Sequence, residues 1–275
     1  MSRPLPPAPE PLPAPVTDSH THLESTRAFS GLEVADAIAA AAAVGVTRMV
    51  EVGVDVSSSL EAVRIAATNP AVIASVAIHP NEAARLGDRL PAELDRLALL
   101  VGAPKVHAVG ETGLDYFRTK DASGQALQKT SFAAHIAWAK AHDLALVIHD
   151  RDAHADIVEV LDAEGWPARV VMHCFSGDAG FARVCLDRGA WLSFPGTVTF
   201  KPNADLREAA LLTPTDRLLV ETDAPYLTPV PWRGKPNSPY LLPLTVRFLA
   251  ELRGEDLESF CHEVTDAATL AFAWE

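Results

Sequence analysis

Six side chains able to bind a divalent metal stand at the ends of short apolar runs. They are His20 and His22 in VTDSHTH, Glu111 in VGETGLDYF, His149 in LVIHDRD, His173 in VVMHCFSG and Asp223 in LLVETDAPYL. Imidazoles and carboxylates are ordinary ligands of such ions, and a bound ion lowers the pKa of its water to about 7, which makes a nucleophile. One polar residue ending a buried strand says little; five runs that end this way point to one site assembled from many strand ends. In His20-Thr21-His22 the alternation of a strand puts both rings on one side, and the preceding Asp18 is a candidate to orient a ring or to cap a turn. Glu111 has two oxygens, enough to bridge two metals. Glu221 and Asp223 share a side if their strand stays regular that far. Asp223 is then the candidate to ligate one metal and take a proton from a metal-activated water. No side-chain nucleophile is required, and the chain has no G-x-S-x-G elbow, Walker A loop or G-x-G-x-x-G turn.

The remaining histidines divide. His79, in AIHPN, ends a strand-like run at the same end and is a candidate substrate contact. His135, His142, His154 and His262 fall in helical stretches and read as packing or surface residues, and His107 starts a strand, at the wrong end for catalysis. Cys174 follows His173, so alternation turns it to the other face of the strand and sets it aside as a ligand.

The elements that must position these residues alternate in texture. Val- and Ile-rich runs at 16–22, 48–54, 72–80, 106–114, 145–150, 170–175, 191–196 and 218–223 read as buried parallel strands. Between and after them, 31–44, 57–68, 91–101, 125–142, 154–164, 179–188, 203–211, 241–253 and 256–274 have helical spacing. Eight strands alternating with helices, with no linker between 16 and 275, predict an α/β chain folded as one (β/α)8 TIM barrel. Its C-terminal strand ends meet at one mouth, whereas a doubly wound open sheet, the alternative, would gather ligands at a single switch point.

Composition narrows the setting. A net charge of −13 excludes a broad basic groove, so affinity for nucleic acid must come from local Arg and Lys or from bound metal. Three cysteines without C-x-x-C spacing fit a reduced, cytoplasmic environment. The segment MSRPLPPAPEPLPAPV lacks the apolar core of an export signal, and no apolar stretch is long enough to span a membrane. Residues 1–15 read as a Pro-rich arm, extended and outside the core, with docking to a Pro-reading partner as the functional alternative.

Taken together, the stretches DSHTHLE, AIHPNEA, VGETGLDYFR, LVIHDRDAH, MHCFSGD, SFPGTVTFK and VETDAPYLTPVPWRGKPNSP closely resemble the TatD family of metal-dependent hydrolases, in the family order. The resemblance implies a TIM barrel of the amidohydrolase type that hydrolyses phosphodiester bonds of DNA with two divalent ions (Zn, Mg or Mn). It implies that His20, His22, Glu111 and Asp223 hold one ion, and Glu111, His149 and His173 the other. His79 and Arg151 are then candidates for phosphate contact, and Lys201, Arg233 and Lys235 for local positive charge. A small mouth with few basic residues suits a single-stranded or frayed DNA end, and exonuclease-like action. Two departures from the family pattern stand out: Pro236 and Ser238 replace an Arg and a Glu in the loop usually reading RGKRNEP, and Asp266 replaces an Asn. An amidase, lactonase or small phosphoester hydrolase of the same superfamily is the runner-up, and a non-catalytic metal-binding scaffold the third reading. Nothing in the sequence demands more than a monomer.

Overall fold

The apolar runs become eight parallel strands in a computed structural model that describes residues 5–274. In chain order the elements are β1 (Val16–Thr21), α1 (Leu23–Ser30), α2 (Val34–Ala43), β2 (Val46–Val52), α3 (Val56–Thr68), β3 (Val72–Val76), α4 (Pro80–Leu86) and α5 (Leu90–Val101). Then follow β4 (Val106–Asp115), α6 (Ala122–His142), β5 (Ala145–Arg151), α7 (His154–Glu164), β6 (Val170–Met172) and α8 (Ala179–Leu186). The chain ends with β7 (Trp191–Phe194), α9 (Ala204–Leu212), β8 (Leu218–Val220), α10 (Leu242–Arg253) and α11 (Leu257–Phe272). Strands pair in sequence order from β1 to β8, the (β/α)8 barrel that alternation predicted. The residues just beyond β8 close the ring: Ala224 bridges Thr21, Asp223 N–H donates to His20 O (2.9 Å) and His22 N–H to Ala224 O (2.9 Å).

The period of two sorts the core into two shells. Val50, Val52, Ile73, Ala108, Ala145, Val147, Val171, Trp191 and Leu219 form an inner cluster, closed by Ala267, Ala268, Ala271, Phe272 and Trp274 from α11 and its end. The alternate residues, such as Met49, Val72, Val109, Leu146, Ile148, Val170 and Leu218, pack outward into the layer shared with the helices. Two residues beyond inward-facing Val147, Val171 and Leu219 stand His149, His173 and Glu221, so the alternation that fills the floor also aims polar groups at the mouth. Irregularities sit where the site needs them. Register shifts in β1 between Asp18 and Thr21, where consecutive Ser19 and His20 meet Ser193 and His173, and in β4 between Val109 and Thr112, on either side of Glu111.

Three expectations change. Strands β3, β6 and β8 stop short, at Val76, Met172 and Val220, so His79, His173 and Asp223 lie on the turns that follow. Helices α1 and α4 were not anticipated; each is a short turn of helix following a ligand-type residue, α1 closed by Gly31 (φ +80°) and α4 opened by His79 and Pro80. The Pro-rich arm, expected outside the core, packs on the barrel from Leu5 onward: Leu12 and Ala14 join the core, and Leu12 N–H donates to Val44 O (3.0 Å). Its proline-flanked carbonyls accept from Tyr240 (to Pro6 O, 2.6 Å), Arg247 (to Pro11 O, 2.8 Å) and Thr265 (to Pro15 O, 2.8 Å). Proline lacks a donor but keeps its carbonyl, so side-chain donors of the barrel can strap the arm in place. Residues 1–4 lie outside the described residues.

Candidate metal centre

Glu111 is the hub of the mouth. Its Oε2 faces His20 Nε2 (3.6 Å) and His22 Nε2 (3.9 Å), while its Oε1 faces His149 Nδ1 (2.6 Å), His79 Nε2 (3.3 Å) and His173 Nε2 (3.4 Å). The two oxygens therefore divide the imidazoles into two sets. Asp223 joins the first set, its Oδ1 at 3.5 Å from His22 Nε2 and 3.9 Å from His20 Nε2. Gly110 and Gly113 flank this hub because β4 runs so close to β5 that a Cβ on either would collide with Val147 or with the His149 carbonyl.

Outer partners fix the rings. His22 Nδ1 bonds Val52 O (2.8 Å), His173 Nδ1 faces Glu221 Oε1 (3.0 Å), and His149 Nε2 faces Asp115 Oδ2 (3.3 Å). His79 Nδ1 accepts from Asn81 N–H (3.1 Å), which leaves Nε2 for Glu111. Asp18 does not orient a ring. It accepts from Thr222 N–H (2.9 Å) and Thr222 Oγ1 (2.6 Å), because β8 ends at Val220 and turns Thr222 toward β1. That turn leaves Asp223 at φ +51° and Glu221 buried under His173. Cys174 likewise leaves strand geometry (φ +44°), and its sulfur forms a compact group with His173 and Glu221, so strand alternation was the wrong ground for setting it aside.

The electrostatics suit a cation. Burial alone would raise the Glu111 carboxyl, but the charges of His79 and His173 and the bond from His149 hold it well below the ordinary range. Burial likewise pushes His22 and His149 down, yet Asp223 holds the first, and Asp115 with Glu111 the second, at about 9. His20 falls to about 3, through burial and then the charge of His173, whose ring stacks on it at 3.5 Å. His20 Nε2 and His22 Nε2 lie 3.3 Å apart, and His20 Nδ1 is buried without a partner. Imidazoles crowded on a carboxylate, in a field that favours positive charge, are a donor set that fits divalent ions, which would stand where His22 and His149 otherwise carry protons. Ligand atoms within 4.8 Å of one another group as His20–His22–Glu111, His20–His173–Asp223 and His79–Glu111–His149.

The family can now be assigned. The sequence profile of the TatD-related DNases matches residues 17–273. The chain belongs to that family. It is 46% identical over 260 residues to a metal-dependent hydrolase TatD of Mycobacterium tuberculosis, covering 94% of this chain and 97% of that one. It is 36% identical over 237 residues to a 3'-5' ssDNA/RNA exonuclease TatD of Pantoea vagans, covering 83% and 88%. Among solved structures, the TatD homologue YJJV of Escherichia coli K12 superposes with a TM-score of 0.86 at 26% identity, covering 94% of this chain and 98% of that one.

Within this TatD fold, the expected site residues separate by position. The six ligand candidates and His79 converge on one centre, and His22, His79, Glu111, His149 and Asp223 line a cavity of about 550 Å³. Arg151 lines it too, its guanidinium 3.9 Å over the Phe117 ring. Arg233 and Lys235 line a neighbouring cavity instead, and Lys201 lines neither. Sequence reasoning missed Asp115, Asn81 and Arg118; the first two hold His149 and His79, and Arg118 lines the cavity. Asp115 had one local signal, its place in GLDYF at the end of β4. The departures Pro236 and Ser238 are buried inside the loop and line neither cavity.

Proposed function

We propose that this chain is a metal-dependent hydrolase that cleaves phosphodiester bonds of nucleic acid, working from single-stranded or frayed ends in the manner of an exonuclease. The observation that carries this reading is the division of imidazoles between the two oxygens of Glu111, which suits a carboxylate shared by two ions. Family membership and the exonuclease name of the Pantoea relative support it. Two ions in these positions would supply Lewis acidity at a phosphoryl oxygen and acidify a water.

The protein's own groups do the rest. His20, His22 and Asp223 would hold one ion, and His149 and His173 the other, with Glu111 between and His79 beside the second set. Glu221 and Asp115 keep His173 and His149 oriented. Asp223, which lines the cavity, would receive a proton there. Arg118 and Arg151, exposed on the cavity rim, supply positive charge to a phosphate despite the net charge of −13. Among the described residues no helix is long and apolar enough to cross a membrane.

The test is hydrolysis of end-labelled single- and double-stranded oligonucleotides with Mg2+, Mn2+ or Zn2+, against a panel of amides, lactones and small phosphoesters. Chelator-sensitive shortening of single strands from one end, abolished in Asp223→Asn, is the expected result. Turnover confined to amides, lactones or small esters would replace the nuclease reading.

A further inference from the structure

Next to the metal cavity, across Tyr226 and Leu227, lies a second cavity of about 340 Å³. Aromatic and cationic side chains face it: Phe29, Phe200 and Tyr226 with Arg233 and Lys235. Among the described residues only three aromatics are more than one third exposed, Phe29 (45%), Phe117 (52%) and Tyr226 (53%). Two of them line this cavity, and the third lies under the Arg151 that lines the first. Exposed aromatics scattered singly need no explanation, but three gathered at one mouth mark a recognition surface.

The surface is built to hold its shape. Tyr226 follows the ligand candidate Asp223 by three residues, and its backbone is held at both ends, Tyr226 N–H to Asp223 O (2.8 Å) and Tyr226 O from Asn237 Nδ2 (2.6 Å). Asn237 is fully buried and also donates to Thr222 O (2.8 Å). The Tyr226 ring stands edge-on to His22, with centroids 6.4 Å apart, so an aromatic face sits one group away from the metal centre. Arg233 lies over Phe200 at 4.6 Å, its charge kept at the cavity wall.

We propose that the second cavity is a nucleobase subsite. The base beside the scissile phosphate stacks on Tyr226, facing Phe29, while Arg233 and Lys235 neutralise the adjoining backbone phosphate. This rests on the nuclease reading and deepens it. Stacking on an aromatic accepts any base, because every base has a π-face, and it requires the base to leave its duplex partner. The subsite therefore selects single strands without reading sequence, and it restricts small diesters, which have no neighbouring base, to the metal cavity alone.

The experiment titrates the full-length, metal-stripped protein into a single-stranded oligonucleotide with 2-aminopurine at its terminal or penultimate position. Wild type is expected to bind with quenching of the probe base. Tyr226→Ala should weaken binding about tenfold and lose the quench, and Tyr226→Phe should keep both. Arg233→Ala and Lys235→Ala should each lower the salt dependence of binding while retaining the quench. In metal-loaded protein, Tyr226→Ala should raise KM for the oligonucleotide more than it lowers kcat. An unquenched wild-type complex, Tyr226→Ala binding and quenching like wild type, or no saturable binding by wild type each overturns the subsite. Failure of the nuclease reading shows separately, as absence of oligonucleotide cleavage by metal-loaded wild type, and leaves the binding measurement to decide the subsite.

Discussion

Asp18 and Thr222, separated by 204 positions, are joined twice: Thr222 N–H donates to Asp18 Oδ1 at 2.9 Å and its hydroxyl to Oδ2 at 2.6 Å. This clip is the seam of the barrel. It holds the turn that carries Asp223 against the strand that carries His20 and leads into His22. Replacing Asp18 by Ala strands a buried amide and a buried hydroxyl, and Asp18→Ala is expected to cost about 2–3 kcal/mol of stability. Hydrolysis should fall further than the folded fraction does. Urea unfolding alongside turnover measures both; activity that tracks only the folded fraction would show that the clip does not position Asp223.

If Glu111 is shared between two ions while His149 serves one, their removal has different consequences. Glu111→Gln should drop bound metal from about two ions per chain to below one, and His149→Ala to about one. Elemental analysis of protein with unchanged circular dichroism decides this. Equal losses in the two variants would contradict the division of imidazoles seen around Glu111.

Gly113 adopts φ +130°, and a Cβ there would run into the carbonyl of His149. Gly113→Ala should cost about 3 kcal/mol through backbone strain and displacement of β5. A Tm lowered by roughly 6–10 °C is the expected signature in a chain of this size. An unchanged Tm would mean that β4 and β5 do not approach this closely.

His135 is buried, with Nδ1–H donating to Ser131 O (2.7 Å) and Nε2 accepting from Ile78 N–H (3.2 Å), next to His79. Burial lowers its pKa from 6.5 to about 4. Between these values the unfolded chain binds more protons, so the stability His135 contributes is complete above pH 6.5 and is lost as pH falls toward 4. The slope from this group is at most about 1.4 kcal/mol per pH unit. His135→Gln should show a shallower acid loss than wild type in urea titrations from pH 7 to pH 4.5, and identical slopes would remove His135 from the linkage.

The arm contributes to the core through Leu12, which is 8% exposed against Gly45 and Val44. Leu12→Ala is expected to destabilise the barrel by about 2–3 kcal/mol. A change below about 0.5 kcal/mol in urea unfolding would return the arm to the role of a loose leader.

The sequence by itself determined the alternation of strands and helices and the identity of the metal-ligand candidates. Both are local signals: a period of two sets the face of a residue from its neighbours alone, so Val147 and His149 point the same way wherever their strand lies. It also told His135 from His149, because helical and strand spacing differ. Only the tertiary structure decided which oxygen of Glu111 meets which ring, that β8 stops at Val220, and that Asp18 clasps Thr222 rather than an imidazole. It moved Arg233 and Lys235 to a cavity of their own, and it brought Leu12 of the arm into the core. These outcomes depend on which strands and loops become neighbours once the ring closes, a relation between positions as much as 204 residues apart that no local period contains.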